Sequence, residues 1–243
     1  MNQTSSPGAG IVVGGLTPLS TVDWPGELAA VVFCQGCAWN CPYCHNAALR
    51  PFVLDGGTGE RPWAEVPAWL KTRQGLLDAV VFSGGEPLLQ PGLSEAMSEV
   101  RALGFQVGLH TSGMDPAALA RVLPLTDWIG LDMKAPRTAY GRITGMPGSA
   151  DSAWASLDLV RASGVAFELR TTWHPALLSE AELLELAHEL SSLEGVTWAL
   201  QAFQPEGCAD AKLAATGRAH VPGKLEESLR ATLGALSQLE VRK

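Results

Sequence analysis

The stretch "LAAVVFCQGCAWNCPYCHN", residues 28–46, decides how this chain is read, because an apolar, β-branched run leads directly into four cysteines within eleven positions. Such a run is a strand signal, and its abrupt change into Cys, Gly, Asn and Pro marks a loop at the strand's C-terminal end. One further cysteine, Cys208, occurs in the remaining sequence.

The chain has 243 residues, enough for one large α/β domain that buries its core without covalent help. No basic segment followed by an apolar one opens the sequence, and no apolar run is long enough to span a bilayer. A cytoplasmic protein with no membrane partner is expected. In a reducing compartment a tight cysteine cluster, with an odd total of five, suits metal or redox chemistry better than disulfides. The formal charge of -8 and the lack of a basic run argue against nucleic acid as a partner.

Five more strand candidates follow the first: "DAVVFS" (78–83), "FQVGLH" (105–110), "WIGLDM" (128–133), "AFELRT" (166–171) and "WALQAF" (198–203). Amphipathic stretches separate them, among them "GLSEAMSEVRALG", "DPAALARVL", "DSAWASLDLVRASG" and "SEAELLELAHELSSL"; "LEESLRATLGALSQL" follows the last. Six βα units in series predict a parallel sheet. The cysteine loop, "GGEP", "TSG", "KAP", "TWHP" and "QPEG" all come just after strands, at the edge where α/β folds assemble their sites. Gly and Pro punctuation accounts for any one of these groups, but poorly for six chemically different ones.

With all four cysteines the spacing is CxxCxxxCxxC, which could close a zinc or electron-transfer site. From Cys37 onward it is CxxxCxxC, three thiolates from Cys37, Cys41 and Cys44 for a four-iron cluster with one iron left open. Position favours three, because Cys34 directly continues the strand "AAVVF" and reads as a small buried hydrophobe. Cys208 reads as a bystander thiol.

"CAWNCPYCHN" resembles the cluster loop of radical S-adenosylmethionine enzymes, in which three cysteines hold a [4Fe-4S] cluster and adenosylmethionine chelates the fourth iron. The wider stretch "TVDWPGELAAVVFCQGCAWNCPYCHN", with "FSGGEPLLQ", "LHTSG", "LDMKAP", "YGRITG" and "ELRTTWHP", is similar to glycyl-radical-enzyme activating enzymes over residues 14–204. It looks closest to the anaerobic ribonucleoside-triphosphate reductase activating proteins. The resemblance implies an open, partial (βα)6 TIM-like barrel over 14–204, after a flexible 1–13 and before a C-terminal helical extension over 205–243. It also implies reductive cleavage of adenosylmethionine and hydrogen abstraction from a glycine of a partner enzyme, probed by loss of cleavage when Cys37, Cys41 or Cys44 is replaced. With no second cysteine set in the chain, the electron would come from an external flavodoxin or ferredoxin. Two alternatives stand beside this: the same chemistry on a small molecule or modified nucleobase, and a closed four-cysteine module.

In "SGGEP" two glycines allow close backbone approach and Glu86 offers a carboxylate. The resemblance gives Gly84, Gly85 and Glu86 the adenosylmethionine amino group. Asp132 and Lys134, two apart, share a strand face; by resemblance Lys134 approaches the carboxylate of adenosylmethionine and Asp132 orders the site, in some relatives through a monovalent cation. An acidic residue usually stands where this chain has His110, which puts that cation in question. Thr111 and Ser112 suit hydrogen bonds to ribose or carboxylate. Glu168 and Arg170 alternate onto one face, as a buried salt bridge or, by analogy, with Arg170 turned to adenosylmethionine. Tyr43 resembles the residue beside adenine, Trp39 shields the cluster, and His174 reads as a loop residue. Asp23 matches a contact to the substrate peptide, with Trp24 where a glycine stands in pyruvate formate-lyase activase.

Overall fold

The computed structural model describes residues 10–52, 60–208, 210–234 and 237–242. They build one eight-stranded sheet in sequence order: β1 (Val13–Ser20), β2 (Ala29–Cys34), β3 (Ala79–Gly84), β4 (Gln106–Thr111), β5 (Trp128–Asp132), β6 (Ala166–Trp173), β7 (Thr197–Ala202) and β8 (Gln238–Arg242). β2 through β8 are parallel, β1 pairs antiparallel with β2, and the described strands β1 and β8 are not paired with each other. The barrel is therefore open, as expected, with β2 to β7 as the six predicted strands and β8 as a seventh parallel one.

The helices are α1 (Glu65–Lys71), α2 (Leu93–Ala102), α3 (Pro116–Val122), α4 (Arg137–Thr144), α5 (Ser149–Ser163), α6 (Glu180–Leu190), α7 (Ala211–Ala214) and α8 (Gly223–Leu233). Local chemistry sets several of their ends. Asp115 caps α3 through the Ala118 amide ahead of Pro116, and Ser179 with Glu182 forms a reciprocal box on α6. Gly164 closes α5 in the left-handed conformation.

Two strands depart from the expected pattern. β1 carries Gly14, Gly15 and Pro18, which lower strand propensity; Pro is tolerated because β1 is an edge. At the other end, "LEESLRATLGALSQL" is not one helix. α8 stops at Leu233 before Gly234, and Gln238 starts β8. The C-terminal segment thus contributes a strand as well as helices. Of the segment expected to be flexible, residues 1–9 lie outside the described residues, while Ile11 is buried and β1 begins at Val13.

Alternation along the strands makes two apolar layers. The larger lies between sheet and helices and takes Val32, Cys34, Phe82, Leu109, Leu131 and Leu169. The smaller lies inside the barrel and consists of Trp24, Ala29, Val31, Ala79, Val81 and Trp128, with Phe33 against it. Trp24 enters from the β1–β2 connection and stacks on Trp128 with ring centroids 5.5 Å apart. Gly108 makes room for it, since a Cβ there would lie 2.9 Å from the indole.

Glu168 does face inward beside Arg170, but its partner is Arg242 of β8, which donates to both carboxylate oxygens at 2.8 and 2.7 Å. A buried salt bridge is present, then, through a strand that sequence reading did not predict. Arg242→Ala leaves a buried carboxylate without its cation. A loss of roughly 2 to 4 kcal/mol is expected, the lower end reflecting the partial exposure of Arg242. Urea unfolding of the variant against the parent measures it, and Glu168→Gln combined with Arg242→Ala should recover part of the loss.

Candidate active site

A cavity of about 260 Å³ opens at the C-terminal ends of the parallel strands. Its wall includes all thirteen residues singled out from the sequence: Asp23, Cys37, Cys41, Tyr43, Cys44, Gly84, Gly85, Glu86, Thr111, Ser112, Asp132, Lys134 and Arg170. It also includes residues that sequence reading missed, among them His45, Asn46, Ser83, Thr172 and Gln201. Thr172 was within reach of the period-two argument, being the next inward position after Arg170. Gln201 has no comparable signal.

Cys34 is absent from that wall. Phe33 faces the cavity, so the next residue faces the helices, where Cys34 packs fully buried. This placement sets Cys34 apart from the three cysteines at the wall, against the arrangement a closed four-cysteine site needs. Cys208 also lies off the cavity, its thiol donating to the Pro42 carbonyl on the outside of the cysteine loop. Among the described residues no three His, Cys, Asp or Glu side chains converge around a single-ion centre.

The cysteine loop is fixed through its backbone. Gly36 and Cys37 amides donate to the carbonyls of Leu49 and Arg50, and the Asn40 amide to that of Thr144. From the next strand, Gly85 donates to the Cys34 carbonyl at 2.8 Å and Glu86 to the Gly36 carbonyl at 2.9 Å. The two glycines serve this contact. A Cβ on Gly85 would lie 2.4 Å from the Gly36 oxygen, and Gly84, with φ of 115°, would place one 2.3 Å from the Cys34 nitrogen.

Glu86 is 1% exposed, and its carboxylate accepts four hydrogen bonds: from the Leu88 amide, the Thr111 hydroxyl, and both the amide and hydroxyl of Ser112. Burial raises its pKa above the ordinary carboxyl range, and the four donors draw it partway back. Thr111 and Ser112 thus order Glu86 directly and, with the Leu88 amide, fill the lone-pair sites of its carboxylate.

Asp132 is clasped by two cations, Lys134 Nζ at 3.0 Å from Oδ2 and Arg170 Nε at 3.3 Å from Oδ1. Desolvation works to raise its pKa, but Lys134 and Arg170 outweigh it and hold the carboxyl below its ordinary value. Lys134, for its part, loses solvation and gains more from Asp132, so it stays charged, with its ammonium 5.8 Å from the centre of the Tyr43 ring. Trp39 is buried edge-on to Tyr140, consistent with a shielding role. His174 is engaged elsewhere, with Thr216 and the Ala176 amide.

His110 lies 2.6 Å, through Nε2, from the Asp23 carbonyl, and its ring meets Trp128 edge-on. The two departures noted in the sequence are therefore coupled: His110 holds the connection whose Trp24 fills the barrel beneath the cavity. Asp23 itself keeps its carboxylate at the wall, accepting from the Ser20 hydroxyl at 2.5 Å.

The donor set fits an iron-sulfur cluster. Three soft thiols border one cavity, and burial pushes Cys37 up to about 11 and raises Cys41, while Lys134 opposes the shift in both. Left alone, Cys37 and Cys41 keep their protons; a cationic group that binds thiolates would displace them.

Residues 31–190 match the radical SAM superfamily, and the chain belongs to it. Members of this superfamily carry a [4Fe-4S] cluster and adenosylmethionine. A Methanocaldococcus jannaschii protein assigned by name to the glycyl-radical enzyme activating enzymes is 28% identical over 206 residues, covering 82% of each chain. A pyruvate formate-lyase-activating enzyme of Clostridium pasteurianum is 31% identical over 138 residues, 55% of this chain and 57% of that one. Among solved structures, SuiB of Streptococcus suis bound to S-adenosylmethionine superposes with a TM-score of 0.63 at 10% identity, covering 86% of this chain and 48% of that one. A radical SAM methyltransferase from Sphaerobacter thermophilus gives 0.61 at 19% identity, over 90% and 67%. At these identities the superpositions establish the fold.

Two outcomes are expected of variants here. Glu86→Gln turns an NH2 group toward a nest of four donors, costing about 2 to 4 kcal/mol in unfolding free energy and loosening the cysteine loop, which iron content after reconstitution would report. His110 should make stability depend on pH. Burial, then Arg170, lowers its pKa to about 3 from an unfolded value near 6.5, so between these values the unfolded chain binds the extra proton. The folded state is then favoured above pH 6.5 and loses this contribution as pH falls toward 3. Urea midpoints at pH 7 and pH 5 should differ more in the parent than in His110→Asn.

Proposed function

We propose that this protein is a glycyl-radical-enzyme activase, acting in the cytoplasm on anaerobic ribonucleoside-triphosphate reductase with flavodoxin or ferredoxin as electron donor. The observation that carries the reading is the meeting of three cysteines, the Gly-Gly-Glu turn and the Asp132–Lys134–Arg170 charges around one cavity. Similarity along 82% of a relative named for this activity supports it. Among the described residues no helix is long and apolar enough to cross a membrane.

Cys37, Cys41 and Cys44 would hold the cluster, which when reduced supplies the electron that splits the C5'-S bond of adenosylmethionine. Gly84, Gly85 and Glu86 lie beside the cysteine loop, where the amino group of the methionine would sit. Lys134 and Arg170 suit its carboxylate, and Tyr43 the adenine. Trp24 stacked on Trp128 blocks the barrel below, so a substrate must reach the cavity from its mouth or through the gap between β1 and β8. Asp23, at the cavity wall, would meet an incoming peptide. An open rim of this kind suits a protein segment.

After anaerobic reconstitution, a [4Fe-4S]+ EPR signal should shift on addition of adenosylmethionine and deoxyadenosine should accumulate. Cys41→Ala should abolish both and Cys34→Ala neither. With a coexpressed anaerobic reductase, a doublet glycyl-radical signal should follow. Deoxyadenosine formation with no radical on the reductase would overturn the partner and leave a small-molecule substrate.

A further inference from the structure

In some relatives a monovalent cation accompanies the residue at the place of Asp132, but the residues here do not fit such an ion. His110 offers an imidazole, and its Nε2 is committed to the Asp23 carbonyl. The place beside Asp132 is taken by the guanidinium of Arg170, whose residue is 9% exposed. Its Nη2 donates to the Gly130 carbonyl at 3.1 Å, and Nε lies 3.3 Å from Asp132 Oδ1, an ion pair without an aligned hydrogen bond.

The seat depends on Gly130. A Cβ there would lie 2.6 Å from Arg170 Cζ, 2.8 Å from Nη2 and 2.9 Å from Nε. Gly130 is a strand residue outside the left-handed region, so its backbone does not require glycine; the space for the guanidinium does. A planar fork can meet a carbonyl and a carboxylate together, which an ammonium serves less well. Asp132 then stands between two positive groups, and the trio carries a net positive charge toward the cavity.

We propose that Arg170 is a resident cation that fixes Asp132, making the adenosylmethionine site independent of exchangeable monovalent ions, with Gly130 as the residue that admits it. The proposal rests on the cavity being the adenosylmethionine site. Arg170 is a positioning residue here through Asp132, whatever contact it also makes to ligand.

The test compares potassium, sodium and tetramethylammonium buffers at equal ionic strength. In the reconstituted parent, adenosylmethionine cleavage should agree within about twofold across the three, since screening is constant. The thermal midpoint of the cluster-free chain should likewise not respond. Arg170→Ala should lose roughly tenfold or more in cleavage and acquire a midpoint that rises with potassium, with partial rescue by millimolar guanidinium. Gly130→Ala, which alters no polar side chain, should lose cleavage similarly. A parent that needs potassium or sodium overturns the proposal while leaving the adenosylmethionine site standing. Cleavage absent in every buffer would sink both.

Discussion

A buried carboxylate that accepts four hydrogen bonds is the constraint on which the site depends. Glu86 leaves β3 and takes three of its four donors from the end of β4, so two strand ends are locked at one distance. Its own amide and that of Gly85 reach back to the cysteine loop. Three consecutive βα connections are thus set in register by short polar contacts, where loops alone would be the softest part of the fold. Such a carboxylate tolerates burial because its lone pairs are occupied; desolvation still raises its pKa, and each missing donor would raise it further.

Beneath that knot the barrel interior is governed by missing side chains. Gly108 admits the Trp24 indole and Gly130 the Arg170 guanidinium, so an apolar and a charged group occupy adjacent layers without collision. His110 sits between them, touching Trp128 and the Asp23 carbonyl. The floor of the cavity and its charged wall are consequently one packing problem. A larger residue at either glycine would displace a functional group while leaving the sheet's hydrogen bonding intact.

Much of this was legible in the sequence, and the exceptions have physical reasons. β2 to β7 are largely buried and read as apolar, partly β-branched runs, which is why they were found within two residues of their observed limits. β1 and β8 are edges: one is diluted by Gly and Pro, the other is five residues long and continues the amphipathic pattern of α8. The site residues follow strand ends, so the rule that α/β folds work at that edge gathered them. What could not be read is pairing. Glu168 meets Arg242, 74 residues away, and Asp132 is shared by Lys134 and Arg170; no local periodicity encodes either. The glycines of "SGGEP" were read as room for a ligand, and they are first of all room for the neighbouring loop's backbone.

The two classes of cysteine separate on the same grounds. Cys34 is a core residue whose burial raises its thiol pKa beyond any role as thiolate, and it contributes packing between sheet and helices. Cys37, Cys41 and Cys44 belong to a loop whose backbone is already held by residues 49, 50 and 144 and by the turn after β3. That backbone network holds the loop through contacts other than its thiols, unlike small domains in which the metal supplies the fold. None of these backbone contacts involves a thiol, so replacing one of the three cysteines changes the chemistry of the rim while sparing the hydrogen bonds that carry it.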